Sequence, residues 1–446
     1  MKKLLLLGAG RSSGSLINYL LTKASGHDFE LVVGDRDLAS AQLKIGDKPH
    51  GIAIAFDIEN PTQRSQEIAA ADMVISLLPP ALHLLAAEEC LKHSKNLITA
   101  SYVSPEIKAL HGDAHSKGLL FLNECGLDPG IDHMSAMEII HRLQEQGARI
   151  TAFHSYTGGL VAPESNDNLW GYKFTWNPRN VILAGQGTAR YIQQGKYHYI
   201  PYPHLFSESV RIHVDGLGNF DGYANRDSLA YRQLYGIDDI PTLIRGTLRQ
   251  EGFCSAWQVF VQLGLTDDSF QIEKPDQLTY RELIAAFIPP SVLGSDLEEK
   301  MARYCQIDPQ GPAMARIRET GILDDKKIGV SSGSPAAILQ HLLEHKWVLK
   351  PGDKDMIVMQ HRFAYQLQGR EHELISSLVV KGEDTVETAM AKTVGLPLGI
   401  AALLMLEGKI PQKGIQIPVH AEIYKPVLQE LAAMEISFKE STHPSA

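Results

Sequence analysis

The sequence predicts an α/β protein with two kinds of sheet. One is parallel and wrapped by helices; the other is a mixed sheet in a second α/β domain that carries a helical insertion. Three observations lead there. Residues 1 to about 130 alternate short apolar runs with helical segments. From Ile150 the apolar runs lengthen, and one pair flanks a tight turn at Gln368-Gly369-Arg370. Between about Pro241 and Ile328 the pattern turns helical. Strand–helix units build a parallel sheet because the crossover helix carries the chain back before the next strand starts. A tight turn instead leaves its two strands antiparallel.

The first apolar run is Leu4, Leu5, Leu6 and Leu7, and it leads into Gly8-Ala9-Gly10-Arg11-Ser12-Ser13-Gly14. A strand, a glycine turn and a helix start, in that order, form a cradle for the pyrophosphate of a dinucleotide. Gly8 permits the turn, Gly10 lets the backbone approach a phosphate, and the first N–H groups of the helix point at the anion. Ser13 stands where the third glycine of the fingerprint would be, so the match is a variant. The second strand, around residues 31–33, is closed by Asp35, 21 residues after Gly14. An acid at that place accepts from a ribose hydroxyl.

Further strands at 51–56, 73–78, 96–99 and 119–122 end in Asp57, in Pro79 and Pro80, in Ser101 and Tyr102, and in Asn123 and Glu124. Helices fill the gaps, for example at 81–93 and 105–117. Ligands of such sheets bind beyond the carboxyl ends of the strands, so these polar residues are placed around one crevice. A long helix at 131–146 follows. Strands at 150–156, 209–214, 356–367 and 372–380 build the second sheet. Segments 283–286 and 297–304 are helical fragments of the insertion. An Ala- and Leu-rich helix at 386–408 packs back on the first domain, and residues 441–446 are expected to fray.

Composition narrows the function. The formal charge of −10, from 42 basic and 52 acidic side chains, argues against a nucleic-acid partner, which needs a basic face. Cys90, Cys125, Cys254 and Cys305 lack metal-type spacing and read as reduced thiols of a cytoplasmic protein. Neither H-E-x-x-H nor C-x-x-C occurs, so no metal site is expected. The apolar run after Lys2 and Lys3 is too short for a signal peptide. No run reaches the roughly 20 apolar residues of a membrane span.

Several residues stand out for their chemistry. Arg226, in Tyr223-Ala224-Asn225-Arg226-Asp227-Ser228, and Arg249, in Ile244-Arg245-Gly246-Thr247-Leu248-Arg249, occupy turn-like sequences. An arginine fork suits a carboxylate of an acidic substrate; the alternative is a surface pair, Arg226 with Asp227 or Arg249 with Glu251. In Gly126-Leu127-Asp128-Pro129-Gly130-Ile131-Asp132-His133, Asp132 reads as a helix cap and His133 as a packing residue. Asp128 lies at the crevice, where it could accept from an ammonium group. His154 reads as a core residue. Cys125 reads as a buried thiol rather than a nucleophile.

A set of motifs occurs in one order: Ile75-Ser76-Leu77-Leu78-Pro79, Ser101-Tyr102-Val103-Ser104-Pro105, the segment from Asn123 to His133, Gly171-Tyr172-Lys173-Phe174-Thr175-Trp176, and Ile244-Arg245-Gly246-Thr247-Leu248-Arg249. Together with Met359-Gln360-His361-Arg362-Phe363 and residues 388–410 they resemble the saccharopine dehydrogenase family, on its L-glutamate-forming branch. The resemblance implies a Rossmann domain from residues 1–130 and about 385–446. It implies a substrate and dimerisation domain from 131–240 and about 329–384, with a helical insertion at about 241–328. It implies a homodimer, a small amino-acid substrate and NADP as cofactor. The reaction implied interconverts saccharopine with glutamate and 2-aminoadipate 6-semialdehyde in lysine metabolism.

Carried over motif by motif, the nucleotide contacts fall on Gly8, Gly10, Arg11, Ser12 and Ser13, on Asp35 and Arg36, on Asp57, Ile58 and Leu77, and on Leu127, Asp128 and Pro129. The substrate contacts fall on Ser101, Tyr102, Asp128, Arg226, Thr247, Leu248 and Arg249. Tyr102 and Asp128 are the candidates for proton handling at the reacting amine. Two departures stand out. The family's Ser-Tyr-Cys-Gly-Gly is Ser155-Tyr156-Thr157-Gly158-Gly159 here, so no thiol role carries over. The family's Cys-Arg-Thr after the second strand is Asp35-Arg36-Asp37. The two acids favour NAD or dual use, whereas Arg36 favours the 2′-phosphate of NADP. The competing functions are a carboxynorspermidine dehydrogenase-like condensation and a non-catalytic nucleotide sensor.

Overall fold

A computed structural model of the chain describes residues 1–444. Its contacts gather into two compact units: Met1–Arg149 with Leu378–Lys439, and Ile150–Ser377 with the chain from Glu440 on. The helix Ile131–Glu145 thus lies in the first unit, beyond the division expected near residue 130.

The first unit is built on a seven-stranded parallel sheet. Its order is Gly414–Gln416, Leu120–Leu122, Asn96–Thr99, Met73–Ser76, Lys2–Leu7, Phe29–Asp35, Gly51–Ala55. Leu4 to Leu7 are each 0% exposed, which explains a strand of unbroken leucine: helices cover both of its faces. Several of its helices start at side-chain caps. Asp37 accepts from Ala39 N–H before Leu38–Ile45, Asn60 from Thr62 and Gln63 before Pro61–Ala70, and Ser104 from Ile107 before Pro105–Ala109.

The helix Ala389–Leu406 belongs to this unit and packs on Gly14–His27. A Cβ on Gly395 would come within 2.9 Å of the Leu16 nitrogen, and one on Gly399 within 2.8 Å of the Tyr19 ring. Only glycine allows the helices to sit this close. By length and composition this helix could cross a membrane, yet 78% of it is buried within the protein, as a core helix is. The short strand Gly414–Gln416 at the sheet edge was not foreseen from its three residues.

The second unit is a mixed sheet of nine strands. The main path is Val210–Val214, Gly218–Ala224, Thr242–Gln250, Arg149–Val161, Asp355–Leu367, Arg370–Lys381, Lys439–Pro444. The hairpin Thr188–Gln193 and Lys196–Pro201 attaches to Thr242–Gln250. The helices Phe253–Gln262, Tyr280–Phe287, Leu297–Cys305, Pro312–Thr320 and Pro335–Lys346 contribute to one large core. Trp170, Trp257 and Trp347 lie at its centre, each 1% exposed or less.

Two expectations need correcting here. Residues from 241 were expected to be helical, but Thr242–Gln250 is an interior strand of the sheet. Seven of its nine positions are buried, which hides the polar/apolar alternation that marks a half-exposed strand. The tail expected to fray forms the edge strand Lys439–Pro444, because pairing with Arg370–Lys381 satisfies its backbone groups. Residues 445 and 446 lie outside the described residues.

Candidate active site

In the first unit the glycine turn carries the cofactor candidates. Gly8 has φ +103°, and a Cβ there would stand 3.0 Å from the Leu77 carbonyl oxygen, so glycine is required at this contact. A Cβ on Gly10 would meet nothing within 4 Å, which leaves the turn open for a phosphate to approach. Arg11–Ser13 form a single helical turn before Gly14–His27, and Ser13 Oγ donates to the Gly10 carbonyl at 2.9 Å. The cradle therefore fits a dinucleotide pyrophosphate.

Asp35 is tied to this turn. One carboxylate oxygen accepts the Ala9 N–H at 2.7 Å and the other the Asp37 N–H at 2.9 Å. Asp37 accepts from Ser40 Oγ at 2.6 Å and from Ala39 N–H, and the Ser40 bond, with the main-chain bonds, holds its pKa below the usual value. Arg36, between the two acids, is exposed. Lys44 Nζ reaches over the turn and donates to the Gly10 carbonyl and to Ser13 Oγ. Burial lowers the pKa of this amine, and the charges of Asp35 and Glu387 partly restore it.

Beyond the carboxyl ends of the strands Met73–Ser76 and Asn96–Thr99 lies a polar cluster. Tyr102 Oη donates to Asp128 Oδ1 at 3.0 Å, so the two proton-handling candidates form a pair. Their neighbour Ser101 is bonded to His83. Under Asp128 the chain turns at Glu124, which has φ +56°, and the Asp128–Pro129 peptide is cis. Glu124 Oε1 accepts the Val103 N–H at 3.1 Å and Oε2 meets His133 Nε2 at 2.8 Å. Asp132 Oδ1 accepts the Gly130 N–H at 2.6 Å. His133 is 0% exposed between the two acids, so this group is a rigid platform beneath the Asp128 loop. Cys125 is also 0% exposed, and burial pushes its thiol pKa far up, which rules it out as a ready nucleophile.

In the second unit Arg249 is the notable side chain. It is 5% exposed, and its guanidinium lies among the rings of Tyr172 (5.3 Å), Phe253 (5.5 Å) and Tyr223 (5.9 Å). Nη1 donates to the Leu248 carbonyl at 3.1 Å, and Nε has no hydrogen-bond partner. No carboxylate among the described residues pairs with it. Glu251, the surface partner considered from sequence, is taken by Arg211 at 2.7 Å. A buried guanidinium held only by rings and one carbonyl has the chemistry to receive an incoming carboxylate.

Thr247 pairs in register with Thr157 on the adjacent parallel strand and with Tyr223 on the antiparallel one. Thr157 Oγ1 is buried and has no partner among the described residues. Arg226 is exposed with φ +48°, and its neighbour Asp227 pairs with Arg190 at 2.7 Å. Lys173, 1% exposed, is held by Asp353 at 2.6 Å and Asp167 at 3.0 Å, which anchors the segment bearing Tyr172. His154 is half-buried rather than core, beside the Arg362–Glu373 pair; burial and the Arg362 charge lower its pKa to about 4.

Within the first unit the structure brings together Gly8 with Leu77, Asp35 with the glycine turn, and Tyr102 with Asp128. Ile58, Leu127 and Leu248 are 3%, 5% and 0% exposed, so the main chain is the part of each that could meet a ligand. Asp57 Oδ1 caps its own turn by accepting the Glu59 N–H at 3.0 Å. His83, Lys44 and the rings of Tyr172, Tyr223 and Phe253 escaped the sequence argument. Each gains its place from a partner on another element, and no local spacing announces such a partner.

The chain matches the family model described as saccharopine dehydrogenase NADP binding domain over residues 4–122, and that described as saccharopine dehydrogenase C-terminal domain over residues 126–436. It is 37% identical over 98% of its length to the mitochondrial alpha-aminoadipic semialdehyde synthase of Bos taurus, and covers 47% of that protein. The chain thus spans about half the length of that relative. It is 32% identical to the NADP(+), L-glutamate-forming saccharopine dehydrogenase of Pyricularia oryzae, covering 96% of each chain. The solved apo saccharopine dehydrogenase (L-Glu forming) of Saccharomyces cerevisiae superimposes with a TM-score of 0.87 at 30% identity, over 99% of this chain and 100% of that one. A homospermidine synthase from Legionella pneumophila shares the fold at 10% identity and a TM-score of 0.56. The chain belongs to the saccharopine dehydrogenase family.

Proposed function

We propose that this protein is an L-glutamate-forming saccharopine dehydrogenase: an oxidoreductase of lysine metabolism that interconverts saccharopine with glutamate and 2-aminoadipate 6-semialdehyde, with NADP as cofactor. The observation that carries this is Arg249, a buried cation without a carboxylate partner among the described residues, in a chain of this family. Saccharopine has three carboxylates, and a fork of charged donors suits one of them.

The dinucleotide supplies a hydride acceptor when it is bound. The chain's own residues bind, orient and move protons. The open glycine turn takes the pyrophosphate. Arg36 and Lys44 offer cations toward a 2′-phosphate, while Asp35 keeps lone pairs for a 2′-hydroxyl. In the oxidative direction the substrate's secondary amine must be neutral before its neighbouring C–H can leave as hydride. The resulting substrate imine takes up water, and the carbinolamine breaks its C–N bond to release glutamate. The Tyr102–Asp128 pair suits this proton traffic: the carboxylate accepts from the amine, and the phenol stabilises the carboxylate through its 3.0 Å bond. A homodimer is part of the same proposal, supported by the family resemblance and tested by light scattering.

The test is direct. The purified chain is mixed with saccharopine and with NADP or NAD in turn, and the reduced cofactor is followed by absorbance. Saccharopine-dependent reduction with release of glutamate is the expected result, with the higher kcat/KM for NADP. Bound dinucleotide without turnover of saccharopine would overturn the proposal in favour of a sensor.

A further inference from the structure

A buried imidazole that the reaction scheme does not use joins two strands at the carboxyl edge of the parallel sheet. His83 opens the helix His83–Lys92 and is 2% exposed. Its Nδ1 lies 2.8 Å from Ser76 Oγ, at the end of Met73–Ser76, and its Nε2 lies 2.7 Å from Ser101 Oγ, just past Asn96–Thr99. Thr99 Oγ1 stands further off, 3.5 Å from Nε2, and already accepts the Ser101 N–H at 3.2 Å.

The ring is neutral. Burial lowers its pKa to about 4, and its place in the first turn of a helix further disfavours a cation there. A neutral imidazole has one donor and one acceptor. Ser76 is 0% exposed, and its hydroxyl meets no acceptor other than Nδ1 among the described residues. Two buried hydroxyls compete for the ring's one acceptor nitrogen: Ser76 stands 2.8 Å from Nδ1 and Thr99 a marginal 3.5 Å from Nε2, so the shorter bond takes precedence and the Ser76 proton goes to Nδ1. The imidazole proton is then on Nε2 and is donated to Ser101 Oγ. That leaves the Ser101 hydroxyl with its own proton to give away, so it faces a ligand as a donor.

We propose that His83 is a positioning residue: as the Nε2–H tautomer it fixes Ser101 as a hydrogen-bond donor to a substrate carboxylate, and not as an acceptor for an ammonium group. The proposal rests on the function proposed above and adds the polarity of this contact and the residue that sets it. It also explains why a serine, an imidazole and a second serine lie in one chain at the crevice edge, where packing alone would favour apolar groups.

The test separates the two ring nitrogens. His83→Asn keeps an acceptor for Ser76 but cannot reach Ser101. His83→Gln places an amide N–H close to the Nε2 position. His83→Asn should raise the saccharopine KM about tenfold, roughly 1.4 kcal/mol, with kcat and dinucleotide Kd little changed. His83→Gln should recover most of that loss. In a Ser101→Ala background His83→Asn should add less than about twofold, because the histidine acts through that hydroxyl. Equal cost in both backgrounds, or a Gln variant no better than Asn, overturns the proposal, as does a Kd for the dinucleotide that moves with KM. ¹⁵N spectra of the labelled histidines give an answer independent of the substrate: a proton on Nδ1 of His83 refutes the assignment even in a protein that does not turn over saccharopine, while a proton on Nε2 in such a protein leaves the tautomer standing and overturns the proposed function alone.

Discussion

Arg249→Met should separate substrate binding from stability. The guanidinium is 5% exposed and sees three rings between 5.3 and 5.9 Å from its carbon, with one carbonyl at 3.1 Å. Three ring contacts at about 0.5–1 kcal/mol each, plus one charged hydrogen bond at about 1.5–3 kcal/mol, return roughly 3–6 kcal/mol. Burying an ion costs several kcal/mol even after relaxation, so the two sides nearly cancel. Methionine fills a similar volume with no charge to desolvate, and the empty protein should keep its stability within about 1 kcal/mol. Binding should behave differently. Two charge-assisted bonds to a carboxylate, at about 1.5–3 kcal/mol each, are lost, and at about 1.4 kcal/mol per decade the saccharopine KM should rise by 100-fold or more. Arg249→Lys keeps the charge but not the fork, so it should fall between. Thermal unfolding of the full chain with and without saccharopine reads both effects: the variant should keep its own Tm and lose the shift that substrate gives wild type. A variant that melts far lower while its KM stays put would show that Arg249 serves the fold and not the substrate.

Four further outcomes follow from particular residues. Gly130→Ala should cost more than about 3 kcal/mol in urea unfolding, because φ is +149° and the new Cβ would stand 2.0 Å from the Gly126 oxygen; an unchanged midpoint contradicts the loop geometry. Thr157→Val should leave Tm unchanged or raise it, since it removes a buried hydroxyl without a partner; a large drop would mean that the hydroxyl holds the fold. His154 has a folded pKa of about 4 against an ordinary 6.5, so the unfolded chain takes up its proton first as pH falls. The stability that His154 contributes should be lost between pH 6.5 and 4, where buried His83 adds a similar slope, and His154→Gln should make the decline over that window shallower in pH-dependent melts. Lys44→Met should weaken NADP binding about tenfold and NAD binding less; equal losses by titration would make Lys44 a support for the turn alone.

Much of the first unit is legible in the chain because its signals are local. Leu4 to Gly14 spell a buried strand, a turn and a helix start, and Asp35 follows at the next strand end. The pairing of Tyr102 with Asp128 is less local, yet both residues lie in the loops that follow neighbouring strands of one sheet, and such loops of a parallel sheet share an edge. The strand Thr242–Gln250 was hidden for the opposite reason. Buried from both sides, it shows no alternation, and the arginines within it read as turn residues. The tail strand Lys439–Pro444 was hidden because a lone edge strand takes its stability from its partner and not from its own residues.

The sequence by itself determined the class of fold, the glycine turn and the arginines worth suspecting, since each depends on residues near one another in the chain. The tertiary structure alone decided their partners. It gave Glu251 to Arg211 and left Arg249 among three rings, and it tied Asp35 to the turn through the Ala9 N–H. It also set His83 between hydroxyls from two strands. The physical reason is common to all: the state of a charge or a proton depends on burial and on the partner within about 3 Å, and the fold, not the spacing along the chain, chooses that partner.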